Sequence, residues 1–323
     1  MSTTKTVLVT GACGWLGATI VQALLARGDR VVAIDLMISP AMAMLASQQP
    51  RLVTAAIDLG EWHEVLRAFQ TLRPDAVIHA AAIVGVVQAA DIPLKALRVN
   101  VEGAINLFEA MRLSGVRRVV HISTEETYGD FRSVLIDEEH QQKPTSIYGL
   151  TKLAAEHYGR VYSRDHGLEC INVRTCWVYG PHLPRLRMPR TFIEAALRGE
   201  PFHQDDGGKF AVDQVYIDDV AAGVLLALDK PQHRFDAYHI ATGVAPTLRD
   251  TADAVNRAVP GAKITVGDTG PYHHGGRVLS AAKGALNISR AKSELGYQPR
   301  FDLQKGIEAT IEATRAALSK PSA

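Results

Sequence analysis

A doubly wound parallel α/β sheet of the Rossmann type, followed by a smaller, interrupted C-terminal substrate domain, is the fold this sequence predicts. Three observations predict it. Short Val- and Ile-rich runs alternate with longer stretches of helical periodicity through the first 120 residues. Those runs are apolar almost throughout, as a sheet covered on both faces requires. A glycine-rich loop joins the first run to the first helical stretch. With 323 residues the chain has the length of about two domains, taking ~150 residues for each.

Taken in order, residues 5–10, 31–35, 52–57, 76–79 and 117–122 read as strands. Residues 15–27, 61–72 and 94–114 carry apolar positions at helical spacing. Pro144 and Ser146 start a long helix that runs through about residue 166, and 168–174 reads as another strand. The Pro- and Arg-rich stretch 180–190 interrupts regular structure. Residues 191–198, 218–229 and 303–318 read as helices, whereas the Gly-rich segment 260–287 reads mostly as irregular chain. Residues 1–176 are therefore expected to form the cofactor domain, with 213–240 packing back on it. Residues 177–212 and 241–323 are expected to form the substrate domain.

Composition narrows the function. Thirty-five Lys plus Arg against thirty-four Asp plus Glu leave a net charge of +1, with no run of five or six like charges. Neither nucleic acid nor an anionic membrane surface is expected as a partner. Cys13, Cys170 and Cys176 make no disulfide framework and no zinc pattern, and the His residues lack ligand spacing, so no metal is expected. The first residues lack the features of a secretory signal, and no stretch approaches the ~20 apolar residues of a membrane helix, so a cytoplasmic location is expected.

The chemistry begins at Gly11-Ala12-Cys13-Gly14-Trp15-Leu16-Gly17. Gly11, Gly14 and Gly17 let the chain turn sharply and bring a pyrophosphate against helix N-terminal N–H groups, with Trp15 and Leu16 opening the helix beside it. Asp35 ends the second strand, eighteen residues after Gly17, where a carboxylate accepts from both ribose hydroxyls and repels a 2′-phosphate. That favours NAD over NADP. Asp58, with Leu59 next to it, ends the third strand near the adenine. Farther along, Tyr148 and Lys152 stand four residues apart on one helix face, where a cation can stabilise a phenolate. Bringing a Tyr from pKa ~10 to near 7 takes about 4 kcal/mol, which Lys and a nicotinamide cation can share.

These residues, with His79-Ala80-Ala81-Ala82, Asn100-Val101-Glu102-Gly103, Ser123-Thr124, Tyr128-Gly129, Arg174, Val178-Tyr179-Gly180-Pro181 and Val215-Tyr216-Ile217-Asp218-Asp219-Val220, carry a resemblance. The chain resembles the extended short-chain dehydrogenase/reductases of the NAD-dependent epimerase/dehydratase family over nearly its whole length. The resemblance implies NAD as cofactor and Thr124, Tyr148 and Lys152 as the hydride-step residues. In that scheme Lys152 holds the nicotinamide ribose and depresses the Tyr148 pKa. It also implies Ala80, Ala81 and Ala82 beside the cofactor, Asn100 near the site wall, and a homodimer formed through the helices at 94–112 and 147–165. Thr124-Glu125-Glu126 resembles the Thr-Asp-Glu of sugar-nucleotide 4,6-dehydratases, in which an acid and a base eliminate water.

Two positions depart from the pattern. Trp177 stands where nucleotide-sugar enzymes commonly have an Asn on the substrate diphosphate, and Val212 where they have an Arg. Arg277 falls near another phosphate-binding position, and Arg185, Arg187 and Arg190 are possible replacements. Losing two charge-assisted donors costs a diphosphate about 1.5–3 kcal/mol each. The sequence therefore favours NAD-dependent oxidation of a secondary hydroxyl on a carbohydrate-like, non-nucleotide substrate. The alternative is a redox-neutral nucleotide-sugar 4-epimerase or 4,6-dehydratase with retained NAD. A non-catalytic dinucleotide sensor is the remote third, since such proteins tend to lose the Tyr or the Lys.

Overall fold

A computed structural model describes residues 5–274, 277, 278 and 282–318. Seven parallel strands form the central sheet: β1 (Thr6–Thr10), β2 (Arg30–Asp35), β3 (Leu52–Ala56), β4 (Ala76–His79), β5 (Arg118–Thr124), β6 (Glu169–Thr175) and β7 (Ala237–Ile240). Their spatial order is β7-β6-β5-β4-β1-β2-β3, so the chain winds outward twice from the β1/β4 junction. A crevice opens at such a switch point, beyond the carboxyl ends of the strands. The strands are buried nearly throughout, in agreement with their apolar sequences, except β3 at the sheet edge, which is partly exposed.

The flanking helices place the functional segments. Helix α1 (Trp15–Arg27) starts directly from the glycine loop and ends at Gly28, whose φ of 99° closes the last turn. Helix α2 (Ile147–His166) is capped by the Ser146 hydroxyl, which accepts from the Gly149 N–H at 3.1 Å. Tyr148, Gly149, Thr151, Lys152, Ala155, Glu156 and Gly159 form its buried face, at helical spacing. A Cβ on Gly149 would lie 2.3 Å from the Glu126 carbonyl oxygen, so this glycine lets the helix meet the loop after β5.

Beyond Thr175 the chain builds a second apolar core from Trp177, Phe192, Val212, Leu248, Val255, Ile264 and Ile307, among others. It then returns twice to the first layer: helix α3 (Ile217–Asp229) packs on α1, and β7 pairs with β6.

Four segments differ from the sequence reading. The stretch 94–114 is not one helix but Pro93–Leu97, a π-turn at Arg98–Glu102 and a helix at Gly103–Ser114. The wider turn sets Asn100 inward, where it bonds the chain after β4. The segment 260–287 contains a strand, Ile264–Thr269, that pairs in parallel with Phe202–Asp206. Helices at Pro40–Gln48 and Leu248–Ala258 are absent from the sequence reading; the second buries Leu248, Thr251, Ala252 and Val255 on one face and is marked by a Thr247/Asp250 capping box. Among the described residues no helix is long and apolar enough to cross a membrane, and no cluster of His, Cys, Asp or Glu can hold a metal.

Candidate active site

A cavity of about 990 Å³ lies over the β1/β4 crevice and extends across β5 to the second core. One wall is Gly11, Gly14, Trp15, Leu16, Gly17, Asp35, Asp58, Leu59, Ala80, Ala81 and Ala82. Gly11 has a φ of 65°, and a Cβ there would sit 2.7 Å from the Ala81 backbone. The loop thus lies flush on the chain after β4, and the first-turn N–H groups of α1, which have no intrahelical partner, remain for a ligand. Asp35 accepts from the Cys13 and Leu36 N–H groups at 2.9 and 2.8 Å, so its carboxylate is held at the loop edge with lone pairs to spare. Asp58 accepts from the Gly60 N–H at 2.8 Å. A dinucleotide fits this wall: glycine backbone for the phosphates, a carboxylate for the ribose and apolar sides for the rings.

The other wall brings together Thr124, Glu125, Glu126, Tyr148, Lys152, Trp177, Arg185 and Arg187. Burial pushes the Tyr148 phenol up to about 12, opposed chiefly by the Arg185 cation. Lys152 is buried and its ammonium lies 2.7 Å from His121 Nε2; desolvation brings it down to about 7. The cation beside the phenol is Arg185, because Lys152 turns inward to the sheet.

The two adjacent carboxylates are separated by their surroundings. Glu125 is buried with Oε2 unpartnered, and desolvation pushes it up to about 8 against the pull of Lys283. Glu126 pairs with the Lys283 ammonium at 2.9 Å. Lys283, from the far end of the chain, is a site residue that sequence reasoning missed; no local pattern marks it.

Arg185 donates to the Val84 carbonyl at 3.3 Å, and Arg187 donates to the Val178 carbonyl at 2.9 Å. The Arg187 guanidinium lies 4.9 Å from the Trp177 ring centroid, and Trp177 packs on Phe210 and Tyr272. Burial and the neighbouring Arg185 bring Arg187 down to about 10.

Several predicted site residues lie elsewhere. Val212 is fully buried in the second core and does not line the cavity, so its side chain cannot report on the substrate. Arg190 opens helix Arg190–Arg198, paired with Glu194 and donating to the Leu183 carbonyl, and is likewise not at the cavity. Asn100 stands behind the wall: its Oδ1 accepts from Ile83 N–H at 2.7 Å and its Nδ2 donates to Thr151. Arg277 is described in its backbone, paired with His274, and its side chain lies outside the described residues.

Residues 7–241 match the NAD dependent epimerase/dehydratase family. A UDP-glucose 4-epimerase of Mycolicibacterium smegmatis is 32% identical over 95% of this chain and 98% of its own. The crystal structure of a UDP-glucose 4-epimerase with UDP-glucose, from Thermotoga maritima, superposes with a TM-score of 0.86 at 27% identity, covering 97% of this chain and 100% of the other. A dTDP-glucose 4,6-dehydratase from Streptomyces venezuelae, crystallised with NAD, gives 0.82 at 26% identity, over 96% and 97%. These relatives support the redox-neutral nucleotide-sugar alternative better than oxidation of a non-nucleotide substrate, the reading the sequence favoured. With its glycine-loop crevice, its Thr124/Tyr148/Lys152 wall and this likeness from end to end, the chain belongs to the NAD dependent epimerase/dehydratase family, an enzyme family that uses NAD.

Proposed function

We propose that this protein rearranges a nucleotide sugar without net oxidation, acting first on the C4 hydroxyl and retaining NAD. The observation that carries the reading is one cavity that joins the glycine loop to Thr124, Tyr148 and Lys152, with Arg185 and Arg187 on the facing wall. Bound NAD would supply the ring that takes up hydride. Asp35 and the glycine loop would hold its adenosine and phosphates, Ala80 to Ala82 its flank and Lys152 the ribose next to the reacting ring.

Tyr148 and Thr124 line the same cavity, and a sugar hydroxyl held between them would bond both. With NAD bound, Arg185 would favour the phenolate together with the nicotinamide cation; Tyr148 then receives the hydroxyl proton and returns it to the same oxygen, so 4-epimerisation needs no further acid. Arg185 and Arg187 supply the donors to a diphosphate that Trp177 and Val212 lack, at about 1.5–3 kcal/mol for each charge-assisted bond.

One observation favours 4,6-dehydration as a second reading. A neutral Glu125 next to an ion-paired Glu126 is a ready acid and base for loss of water. The unpaired state of Cys13, Cys170 and Cys176 supports a reducing, cytoplasmic setting. Exposed Leu94, Leu97, Leu150, Tyr158 and Val161 supply an apolar face for a homodimer.

The test is incubation of the purified protein with UDP-glucose and dTDP-glucose, followed by chromatography and mass spectrometry. An isomer of unchanged mass supports epimerisation, and a product lighter by one water supports dehydration. NADH accumulating in proportion to consumed sugar would overturn the redox-neutral reading.

A further inference from the structure

Four polar residues cross the otherwise apolar sheet at one level. Thr10, His79, His121 and Asn172 are register partners on the adjacent strands β1, β4, β5 and β6. All are completely buried. Polar side chains at such positions are retained against the hydrophobic alternative, so their bonds define what they do.

The bonds fix the protonation of the row from its outer end. Asn172 Nδ2 donates to the Asp236 carbonyl at 3.1 Å, which leaves its Oδ1 facing His121 Nδ1 at 3.0 Å. His121 therefore carries its proton on Nδ1 and presents a bare Nε2. That lone pair meets the Lys152 ammonium at 2.7 Å. His79 stacks on the other side of His121, with ring centroids 5.5 Å apart, and its Nδ1 bonds the Thr10 hydroxyl at 2.8 Å. The Thr10 oxygen accepts from the Ala81 N–H, so its own proton points to His79. Both imidazoles are thereby held neutral, and burial acts in the same direction.

We propose that His121 is a positioning residue for Lys152: a neutral imidazole, its tautomer fixed by Asn172, that accepts a hydrogen bond from the ammonium and sets it at the cavity wall. The inference rests on the proposed role of Lys152 in the reaction, and goes beyond it by assigning the residue that holds that cation in place. Glu156, one turn along α2, does not serve: its oxygens take Arg174 at 3.0 and 2.7 Å and Ser123 as well. The groups that face Lys152 are Glu156 on its own helix, Cys170 on β6, and His121 and His79 on the sheet. Of these, His121 offers a free lone pair at bonding distance.

An accepted hydrogen bond favours the charged amine, so its loss moves the Lys152 titration to lower pH. In His121→Phe the alkaline limb of kcat/KM should move down by about one pH unit, leaving activity down about tenfold above the limb and nearly intact below it. His121→Gln, which keeps an acceptor, should restore the limb. Asn172→Val, which frees the His121 tautomer without touching Lys152, should move it partway and provides a route should the Phe variant fail to fold.

The Lys152 titration is also to be read directly, by lysine-selective NMR in the NAD-loaded and NAD-free protein, which needs no substrate. A lower Lys152 titration in the Phe variant with recovery in Gln supports the proposal. An unmoved titration, or a loss of activity equal at every pH, overturns it. Failure of the wild type to convert any nucleotide sugar, with the NMR shift present, would reject the proposed function and leave the His121 assignment standing.

Discussion

Tyr148 and Glu125 put opposite demands on the same buried pocket. Removing the phenol oxygen in Tyr148→Phe takes away the proton acceptor but little packing, since the ring stays enclosed. Turnover should fall by about 10²–10⁴, the usual worth of a positioned base, with the melting temperature almost unchanged. Steady-state kinetics beside a thermal melt checks both halves. Glu125 gives a stability prediction with a definite sign. Its folded value, about 8, lies above the ordinary carboxyl range, so between roughly pH 4.5 and 8 the native state binds more protons than the unfolded chain. Stability from this group is complete below that window and is lost as pH rises through it. Glu125→Gln, neutral throughout, should therefore melt progressively higher than wild type from pH 5 to pH 8 in ligand-free protein. A constant difference across that range would contradict a protonated Glu125.

Helix α2 links chemistry to packing through its two faces. On the inner face, Gly149→Ala would drive a Cβ into the Glu126 carbonyl, separating Tyr148 from Thr124. A cost of about 1–3 kcal/mol, as for other overpacked sites, and a lower kcat are expected from denaturation curves and kinetics. On the outer face, Leu150→Glu together with Leu94→Glu should convert a dimer to monomer by light scattering if these side chains are the covered surface. How much of this was legible depended on sequence distance. The glycine loop and the Tyr148/Lys152 pair are local patterns whose spacing dictates their geometry, and both walls of the cavity were placed from them. Arg185 and Arg187 lie in an irregular segment, where spacing does not tell which side chain turns inward; the true wall residues and Arg190 look alike in sequence. Val212 was judged by the residue type it replaces, and the direction of its side chain, into the core, is set by packing no one-dimensional pattern encodes. Lys283 meets Glu126 across nearly half the chain.

Across the whole molecule, loop and sheet are tied over the cavity mouth. The Trp15 indole donates to the Pro181 carbonyl at 2.7 Å, linking the first turn of α1 to the segment that carries Arg185 and Arg187. Trp15→Phe keeps the ring and deletes the donor, so NAD should leave faster; cofactor content after extended dialysis, measured by acid release, should drop relative to wild type. The strand order has a different consequence. Because β7 is drawn from Ala237–Ile240, the outer edge of β6 stays bare until some three-quarters of the polypeptide has left the ribosome. Nascent chains therefore pass through a long interval with a sticky, unpaired ribbon, and a release at residue 236 should yield inclusion bodies where one at 245 need not.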